Sequence, residues 1–593
     1  MTRLVFDIET DGLYWDVSQV HCVVTKDIDT GEIKKFEPCK VEQALQVLTS
    51  ADLLIGHNVI AYDLAVLSKL YPAFSVKREQ VTDTLTLSRL LYSDLGDRDR
   101  EAVATGVLGQ EFPSKLTGSH SLKAWGLRLG ELKAEYEGGW EAYSDEMLEY
   151  CVQDVEVACK LYAKLSKHEA FSERASQLEH DVQWIVAQQE RHGFRFDEAA
   201  AEKLTARLTI RRGELARELE TTFPPWEESE LFIPQANNKR YGYQKGVPIR
   251  KVKKIVFNPN SRHHIANRLS ALYGWKPKEM TPEGSAKIDE TILSKLEYPE
   301  AEKLAEYFMV QKRIGALAEG ANAWQKLVRN GRIHGEVITN GAVTGRATHR
   351  KPNVAQTPAV KVPYGKECRD LFKPDAGKVL VGVDVSGLEL RMLAHFMSAY
   401  DDGAYSKEVV DGDVHKANQI AAGLETRDQA KTFIYAFLYG AGPAKIGSIV
   451  GKGAKDGTVL KQRFLEKTPA LNKLIRAVQS SAGRGYLVGL DGRRLHIRSD
   501  HAALNTLLQS GGALVCKQWM VEVDAAIKEL GWQDRVHQVA WIHDECQYSC
   551  DPEIADEFGK LSIKCIEKAG HEFKIRTPLT GEYKVGSSWA ETH

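Results

Sequence analysis

Residues 378–391 read KVLVGVDVSGLELR and contain the strongest indication of the fold. The first eight residues are mostly apolar and β-branched, which predicts a buried β-strand that reaches Asp384. The next residues, SGLELRMLAHF, place apolar side chains at helical spacing. A strand followed by a loop and a helix leaves Asp384 at the strand tip, where a loop can open it to solvent. One aspartate in such a place does not establish a site.

A second acidic motif lies far downstream. Residues 539–550, VAWIHDECQYSC, read as two short strands on either side of His543, Asp544 and Glu545. This pattern predicts a β-hairpin that carries acidic side chains at its turn. Taken alone, the motif is equally typical of an ordinary polar hairpin tip.

Between these motifs, residues 426–442 read TRDQAKTFIYAFLYGAG. Arg427, Lys431, Tyr435 and Tyr439 recur every four residues, so on a helix they form one slowly drifting stripe. Cations can bind a triphosphate and aromatic rings can stack on a base, which gives the stripe the chemistry of a nucleotide platform. The alternative is a charged helix with two tyrosines in the core.

The N-terminal segment contains another acidic pair. Asp7 and Glu9 stand two residues apart on the predicted strand LVFDIE, residues 4–9. Their side chains therefore face the same side of a sheet and could share a metal ion. An ordinary surface pair is the alternative for this motif alone.

Two further carboxylates extend this set. Asp63 lies at a predicted strand-to-helix transition, and Asp154 lies four residues after Tyr150 on a predicted helix. Two metal ions held about 3.5 to 4 Å apart by carboxylates can activate a water and stabilise a departing oxygen. Without Asp154, Tyr150 would be read as a core aromatic residue.

The composition limits the class of protein. The 593 residues suffice for several domains, and 79 basic against 81 acidic side chains exclude a surface that is basic throughout. The nine cysteines lack the spacing of zinc ligands and are interpreted as reduced packing residues. The N-terminus lacks a signal peptide and no run of 18 apolar residues follows, so we expect no membrane association and a cytoplasmic location.

The motifs around Asp384, Lys431 and Asp544 together resemble motifs A, B and C of DNA polymerase family A. The resemblance implies a multidomain α/β protein with a right-hand polymerase of thumb, palm and fingers. It also implies that Asp384, the Val385 carbonyl and Asp544 bind two Mg²⁺ ions, with Glu545 as a further catalytic carboxylate. Mn²⁺ is the expected substitute for Mg²⁺.

The same resemblance assigns roles in substrate binding. Arg427, Lys431 and His415 are expected to contact the phosphates of a dNTP. Glu389 is expected to exclude a 2′ hydroxyl, and Tyr435 to govern tolerance of dideoxynucleotides, with Tyr439 beside them. The candidates for contact with primer-template DNA are Arg346, Gln356, Asn505, Gln509 and His543.

Asp7, Glu9, Asp63 and Asp154 resemble the Asp-Glu-Asp-Asp set of 3′–5′ proofreading exonucleases, in the subclass in which a tyrosine precedes the last aspartate by four residues. The resemblance implies a ribonuclease H-like domain with two more Mg²⁺ ions, in which Tyr150 orients the attacking water. The predicted domains are an exonuclease at 1–168, a thumb at 169–336, a palm at 337–395 and 505–593, and fingers at 396–504.

The amino-acid sequences of several segments, including GSHSLKAWG, are similar to those of the replicative polymerases of podovirus-type bacteriophages. We therefore expect genome replication in an infected bacterial cell, with a helicase-primase and a single-stranded DNA-binding protein as candidate partners. The thumb contains only a short basic loop at 226–256, which makes thioredoxin binding doubtful. Direct contact of this loop with DNA is our hypothesis for processivity.

Two other functions stay open from the sequence. The chain could be an exonuclease with a non-catalytic, DNA-binding C-terminal half, or a single-subunit RNA polymerase. The proofreading motifs and Glu389 favour DNA over RNA synthesis. A reverse transcriptase or a family B polymerase is disfavoured because residues 543–545 read HDE, without a paired aspartate.

Overall fold

The computed structural model describes residues 1–109, 112–131 and 136–593, and within them the chain forms two compact units. The first unit comprises Met1–Phe194, His334–Gln356 and Lys373–His593, and the second comprises Arg195–Ile333 and Thr357–Phe372.

The N-terminal part of the first unit is a mixed sheet with helices on both faces. Its elements are β1 (Arg3–Thr10), β2 (Val20–Asp27), β3 (Ile33–Phe36), α1 (Val41–Ser50), β4 (Leu53–Gly56), α2 (Asp63–Leu70), β5 (Val81–Asp83), α3 (Thr84–Leu91), α4 (Leu95–Ala104), α5 (Leu122–Arg128), α6 (Asp145–Ser166) and α7 (Glu173–His192). The strand order is β3-β2-β1-β4-β5, with β1, β4 and β5 parallel, and we call this sheet 1.

Side-chain alternation along β1 explains why both faces of sheet 1 are covered. Phe6 and Ile8 enter one apolar core, whereas Val5 enters the other, together with Cys151 and Val155 of α6. The strands predicted at β1, β2 and β4 and the helices predicted between residues 119 and 165 are confirmed, apart from residues 132–135, which lie outside the described residues.

The next stretch of the chain is mainly helical. Its elements are β6 (Phe194–Phe196), α8 (Glu198–Thr222), β7 (Trp226–Phe232), β8 (Ile249–Ile255), α9 (Arg262–Tyr273), α10 (Glu290–Leu293), α11 (Pro299–Ile314), α12 (Trp324–Leu327), β9 (Val328–Arg329) and β10 (Arg332–Ile333). In the second unit α8 packs on α11, where Arg211 Nε lies 2.8 Å from a Glu306 carboxylate oxygen.

The segment at 226–256 is a β-hairpin, where the sequence predicted a loop. Strand β7 reads WEESELF and pairs antiparallel with β8, IRKVKKI, so that Glu227 faces Lys254 and Glu228 faces Lys253. Apolar residues stand mainly at the ends of both strands with charged residues between them, so the period-two alternation that identifies a strand in a sequence is absent. Part of the predicted basic charge therefore stands opposite acidic residues.

The remaining elements surround a second sheet. They are β11 (Glu336–Ile338), β12 (Thr348–Arg350), α13 (Gly365–Asp370), β13 (Phe372–Lys373), β14 (Val379–Val385), α14 (Leu388–Asp401), α15 (Ala404–Val410), α16 (Val414–Ala422), α17 (Arg427–Leu438), α18 (Pro443–Ser448), α19 (Ala454–Lys467), α20 (Pro469–Ala482), β15 (Tyr486–Val488), β16 (Arg494–His496), α21 (Ala503–Glu529), β17 (Val536–Ile542), β18 (Glu545–Cys550), α22 (Ala555–Glu572) and β19 (Gly581–Gly586). The antiparallel order β17-β18-β14-β19 defines sheet 2. Helices α7, α14, α21 and α22 enclose its core.

Helix α7 belongs to the first unit, although the sequence predicted a thumb that begins at residue 169. Its apolar residues Leu178, Val182 and Ile185 enter the same core as sheet 2. The second unit therefore begins only at Arg195, and it also takes in Thr357–Phe372, which the sequence assigned to the palm. Sequence periodicity identified the helix but not the core against which it packs.

Within the described residues, no helix is both long enough and apolar enough to cross a membrane. All nine cysteines are free thiols, as expected, and Cys39 is exposed.

A buried ionic cluster ties α7 to α21 and to the segment before α21. Glu179 is fully buried and contacts the Lys517 ammonium, and its carboxylate lies 2.7 Å from the Arg493 guanidinium. Arg493 also pairs with Asp491 and donates to the Asn340 side chain at 3.2 Å. Two buried cations are thus balanced by two buried carboxylates.

We expect Glu179→Ala to destabilise the first unit by about 3–5 kcal/mol, because it leaves a buried cation without its counter-charge. The shift of the urea midpoint measures this effect. The matched control is Glu149→Ala, which removes an exposed partner of Lys35 and should cost less than about 1 kcal/mol. Equal midpoints for the two variants would contradict the importance of the cluster.

Candidate active sites

Three predicted metal ligands meet where β14 ends and β18 begins. Asp384 pairs directly with Glu545, so these two side chains lie on the same face of sheet 2. The Val385 N–H donates to the Asp544 carbonyl oxygen at 3.0 Å, which holds the hairpin turn against the end of β14. The structure thus brings Asp384, Val385 and Asp544 together.

The turn that carries Asp544 is a tight hairpin turn. Ile542 pairs with Glu545, which leaves His543 and Asp544 as the two turn residues. His543 has φ 59°, the left-handed conformation that short turns between twisted strands require. The hairpin predicted from VAWIHDECQYSC is confirmed, and it presents Asp544 at its tip.

Burial and neighbouring carboxylates raise the pKa values of both aspartates. The pKa of Asp384 rises to about 7, first because of burial and then because of Asp544 and Glu545. The pKa of Asp544 rises to about 6 through burial and the Glu389 charge. A divalent cation would relieve this repulsion, and a concentration of hard oxygen donors suits Mg²⁺. The residues present therefore fit the metal ions that the motifs imply.

Glu545 differs from the two aspartates because protein donors bind its carboxylate. It accepts hydrogen bonds from Trp589 Nε1 and Gln547 Nε2, both at 2.7 Å, and it contacts the His593 imidazole. Burial by itself would raise the pKa of Glu545, but these three partners outweigh it and lower the pKa. The Glu545 carboxylate, which the sequence predicts to be catalytic, is thus bound by other side chains of the protein.

The C-terminal residues reach Glu545 because β14 contains Gly382. A Cβ at residue 382 would lie 2.4 Å from the Thr592 carbonyl oxygen and from Gln547 Nε2, so only glycine leaves room for the segment. His593 thereby comes against Glu545. Sequence reasoning missed His593 and Trp589, and a glycine inside a strand was the only signal of this close approach.

Helix α17 displays the predicted stripe on its outer side. Arg427, Lys431 and Tyr439 are exposed and Tyr435 is half-buried, whereas Phe433 on the opposite face is fully buried. The alternative of two core tyrosines is wrong, because the core-facing positions belong to other residues.

His415 on α16 stands beside this stripe. Its ring centroid lies 6.3 Å from that of Tyr435, and burial together with Arg427 and Lys431 lowers the pKa of His415. Arg427 Nε donates to an oxygen of Asp413 at 2.8 Å, which orients the guanidinium at the start of α17. Arg427, Lys431 and His415, which the sequence predicts to contact the phosphates, therefore lie close to one another.

A cavity of about 260 Å³ adjoins Asp544. Its walls include Arg346, Glu389, Tyr439 and His543. The Tyr439 hydroxyl donates to Glu389 Oε1 at 3.1 Å, and Arg346 Nη2 lies 3.4 Å from the same oxygen. Glu389 is thus fixed at the wall of the cavity between α14 and α17.

The other DNA-binding candidates lie on separate elements. Gln509 Nε2 donates to Asn505 Oδ1 at 3.0 Å, so these two side chains form one polar pair near the start of α21. Gln356 is exposed at the end of a short turn and is not part of the cavity wall formed by the described residues.

The N-terminal acidic pair lies on the face of β1 that packs against α6. Single ligand atoms of Asp7, Glu9 and Cys151 all lie within 4.8 Å of one another. The Cys151 sulfur is 3.5 Å from the Asp7 carbonyl oxygen. Because Asp154 follows Cys151 by three residues on α6, it faces the same side of the helix.

Asp63 completes this second cluster. It begins α2, is 3% exposed, and accepts a hydrogen bond at 3.3 Å from the N–H of Ile8, which lies between the two acidic residues of β1. Burial, followed by the charges of Asp83 and Asp154, raises the pKa of Asp63 to about 7. The structure thus brings together all four predicted carboxylates, and this all-oxygen set also fits divalent cations.

Tyr150 lies one helical turn before Asp154 and is half-buried. Its ring centroid is 5.8 Å from that of Tyr136 and 6.3 Å from that of Trp140. These rings pack against Tyr150, and the spacing of four residues puts it on the same face of α6 as Asp154.

Sequence reasoning missed Asp83, which supports this site. Its buried carboxylate accepts hydrogen bonds from the N–H groups of Asn58 and Ile60 at 3.0 and 3.2 Å, and it also caps α3 through the Leu85 N–H. It thereby holds the loop that leads into Asp63. An aspartate just before the helical TLTLSRLL was the available signal.

Two family models match the chain. The model described as DNA polymerase family A matches residues 244–591, and the model described as RNase_H superfamily matches residues 4–166. The two carboxylate clusters lie inside these two ranges.

Curated relatives resemble the chain over its whole length. The DNA-directed DNA polymerases of Enterobacteria phage T3 and Escherichia phage T7 are each 39% identical over 708 aligned positions, covering 100% of both chains. The 708 positions exceed the 593 residues of this chain, so these relatives contain segments that it lacks. DNA polymerase I of Aquifex aeolicus is 24% identical and covers 95% of this chain and 91% of its own.

Among solved structures, the polymerase domain of Pol1 from M. smegmatis, in complex with a DNA primer-template and a dNTP, is similar with a TM-score of 0.73. It is 18% identical and the match covers 99% of this chain and 96% of that one, which supports the fold alone. The family match, the phage relatives and the geometry of the two carboxylate clusters agree. The chain belongs to DNA polymerase family A, with an N-terminal domain of the RNase H superfamily.

Proposed function

We propose that this chain extends the 3′ end of a DNA primer on a template and removes nucleotides from the 3′ end in a separate site, for phage genome replication. The observation that carries the proposal is the pair of buried carboxylate clusters in one chain, each with an aspartate whose pKa is raised to about 7. Polymerases of this family and RNase H-like nucleases are divalent-metal dependent. The template, the primer and dNTPs are the substrates.

At the polymerase site we assign Asp384, Asp544 and the Val385 carbonyl as the ligands of two Mg²⁺ ions. When bound, these ions lower the pKa of the primer 3′ hydroxyl and neutralise the triphosphate and its leaving pyrophosphate. Glu545 then acts as a positioning residue, because its carboxylate already binds Trp589 and Gln547.

The stripe on α17 serves the incoming nucleotide in this scheme. Arg427, Lys431 and His415 bind the phosphates, and Tyr435 offers its ring to the base. Glu389, held by Tyr439, stands where a 2′ hydroxyl would project and so favours dNTPs over NTPs. Arg346, Gln356, Asn505, Gln509 and His543 are the proposed contacts to the primer-template.

At the exonuclease site Asp7, Glu9, Asp63 and Asp154 are the proposed ligands of two further Mg²⁺ ions, with Tyr150 orienting the attacking water. We assign 1–168 to the exonuclease domain, 169–336 to the thumb, 337–395 and 505–593 to the palm, and 396–504 to the fingers. These functional bounds follow the motifs and differ from those of the two compact units, the second of which begins at Arg195 and includes Thr357–Phe372. We place the enzyme in the cytoplasm of an infected bacterium, with a helicase-primase and a single-stranded DNA-binding protein as candidate partners.

We expect reciprocal losses when one site is removed at a time. Asp544→Ala should lower primer extension by roughly a thousandfold or more and leave 3′ degradation intact, because it removes a metal ligand from one site only. Asp7→Ala combined with Glu9→Ala should do the reverse. Extension and degradation of one labelled primer measure both activities.

Asp534→Ala is the matched control, because Asp534 is exposed just before β17 and outside both clusters. It should leave both activities within twofold of the parent. Undiminished extension by Asp544→Ala would favour an exonuclease whose C-terminal half is only a scaffold.

We expect the apparent Mg²⁺ affinity of the polymerase site to increase with pH between about 6 and 8. The pKa values of Asp384 and Asp544 lie near 7 and 6 without metal, so below these values protons compete with Mg²⁺ for the same oxygens. The Mg²⁺ concentration for half-maximal single-turnover extension should therefore fall as pH rises. The Asp7→Ala, Glu9→Ala background removes the exonuclease contribution, and a half-maximal concentration that is independent of pH would contradict the assignment.

We also propose that the hairpin of β7 and β8 contacts the phosphate backbone and supports processivity without thioredoxin. Its connecting segment contains the exposed cations Lys239, Arg240 and Lys245, whereas Lys253 and Lys254 stand opposite glutamates. The uncompensated cations of the connecting segment are therefore the better candidates for phosphate contact.

We expect Lys239→Gln, Arg240→Gln and Lys245→Gln together to shorten the products made per binding event. They should also reduce the slope of log affinity against log salt by about 0.9 for each phosphate that is no longer neutralised. The matched control, Lys253→Gln with Lys254→Gln, should have a smaller effect. Deletion of residues 236–254 with no change in product length would refute the role of the hairpin.

A further inference from the structure

Two histidines and an aspartate converge in the first unit, outside both carboxylate clusters. His192 is the last residue of α7, His537 lies on β17, and Asp375 lies in the turn before β14. Their ligand atoms all lie within 4.8 Å of one another. His192 Nε2 is 3.0 Å from Asp375 Oδ2, and the two imidazole rings are stacked at a centroid distance of 4.4 Å.

We propose that His192, His537 and Asp375 bind a Zn²⁺-class transition metal ion. Imidazole nitrogens are preferred ligands of such ions, whereas Mg²⁺ prefers oxygen donors throughout. Ligand atoms bonded to one Zn²⁺ at 2.0–2.1 Å lie roughly 3.3 Å apart in tetrahedral geometry, so the observed cluster is already close to the required size.

Regular structure carries the two histidines, and a hydrogen bond to sheet 2 anchors the aspartate. His192 ends a long helix, and His537 pairs with Ser549 in sheet 2. The Asp375 N–H donates to the Ser549 hydroxyl at 2.9 Å, so the same residue of β18 anchors the aspartate and the strand of the second histidine. The backbone around the ligands is thus fixed, and the stacked imidazoles must rotate about their side-chain bonds to direct both nitrogens at one ion.

The cluster also has room for a fourth ligand. A cavity of about 300 Å³ adjoins both histidines and includes Gln189, Met520 and Tyr548 in its wall. A water molecule in this cavity could complete a tetrahedral site of three protein ligands. An ion here would join the end of α7 to the edge of sheet 2.

Lys378, whose charge acts on His537, has partners outside the cluster. Lys378 Nζ donates to the carbonyl oxygens of Asp534 and Arg535, and it lies 3.2 Å from an Asp551 carboxylate oxygen. The competing explanation is a histidine–aspartate hydrogen bond with a stacked histidine and no ion.

The test uses the full chain with Asp7→Ala, Glu9→Ala and Asp544→Ala, so that the catalytic ligands do not contribute and the result is independent of the proposed function. After chelation and dialysis against Zn²⁺, we expect one bound equivalent and a rise of a few degrees in melting temperature. Co²⁺ in place of Zn²⁺ should give the intense visible absorption of a four- or five-coordinate nitrogen-containing site.

His537→Gln and His192→Gln in the same background should each lose the bound equivalent, the thermal shift and the Co²⁺ absorption. His571→Gln replaces an exposed histidine at the end of α22 and should keep all three. Circular dichroism of the metal-free chains establishes that each variant is folded. No retained Zn²⁺ in the parent, or equal retention by His537→Gln and His571→Gln, would overturn the proposal.

Discussion

The hydrogen-bonded ladder between β14 and β18 controls the position of the polymerase carboxylates. It pairs Asp384 with Glu545, and the adjoining bond from the Val385 N–H to the Asp544 carbonyl ties the hairpin turn to the strand end. Because strand side chains alternate, a slip of one residue would turn Asp384 to the opposite face of the sheet. The pairing of β14 with β19 on its other side makes such a slip still more costly.

This ladder also explains why the metal-free site is electrostatically unfavourable. Strand pairing brings the two aspartates together irrespective of their repulsion, since the backbone and the apolar core supply the stabilisation. Burial is the main cause of their raised pKa values, and neighbouring carboxylates add to it. The same physics recurs in sheet 1, where Asp63 is held against β1 and its pKa is also raised. Different sheets thus create similar sites, because each uses backbone geometry to oppose charge repulsion.

Helix α7 stabilises the core of sheet 2 through apolar packing and buried ion pairs. Its apolar face enters the core of sheet 2, and Glu179 balances two buried cations from distant parts of the chain. The exonuclease-like domain and sheet 2 consequently belong to one compact unit. The charged hairpin belongs to the other unit, where strand pairing offsets part of its basic charge.

The sequence by itself determined the family, the strands that carry Asp7 and Asp384, the hairpin of Asp544 and the stripe on α17. These features follow from local periodicity and from motifs whose residue types are dictated by metal and phosphate chemistry. Only the tertiary structure decided that Glu545 is bound by Trp589 and Gln547, that Asp83 supports the Asp63 loop, and that α7 packs with sheet 2. It also decided that residues 226–256 pair as strands. These outcomes depend on which segments pair and pack, for which the sequence offers at most a single residue, such as Gly382 or Asp83, and no periodic pattern.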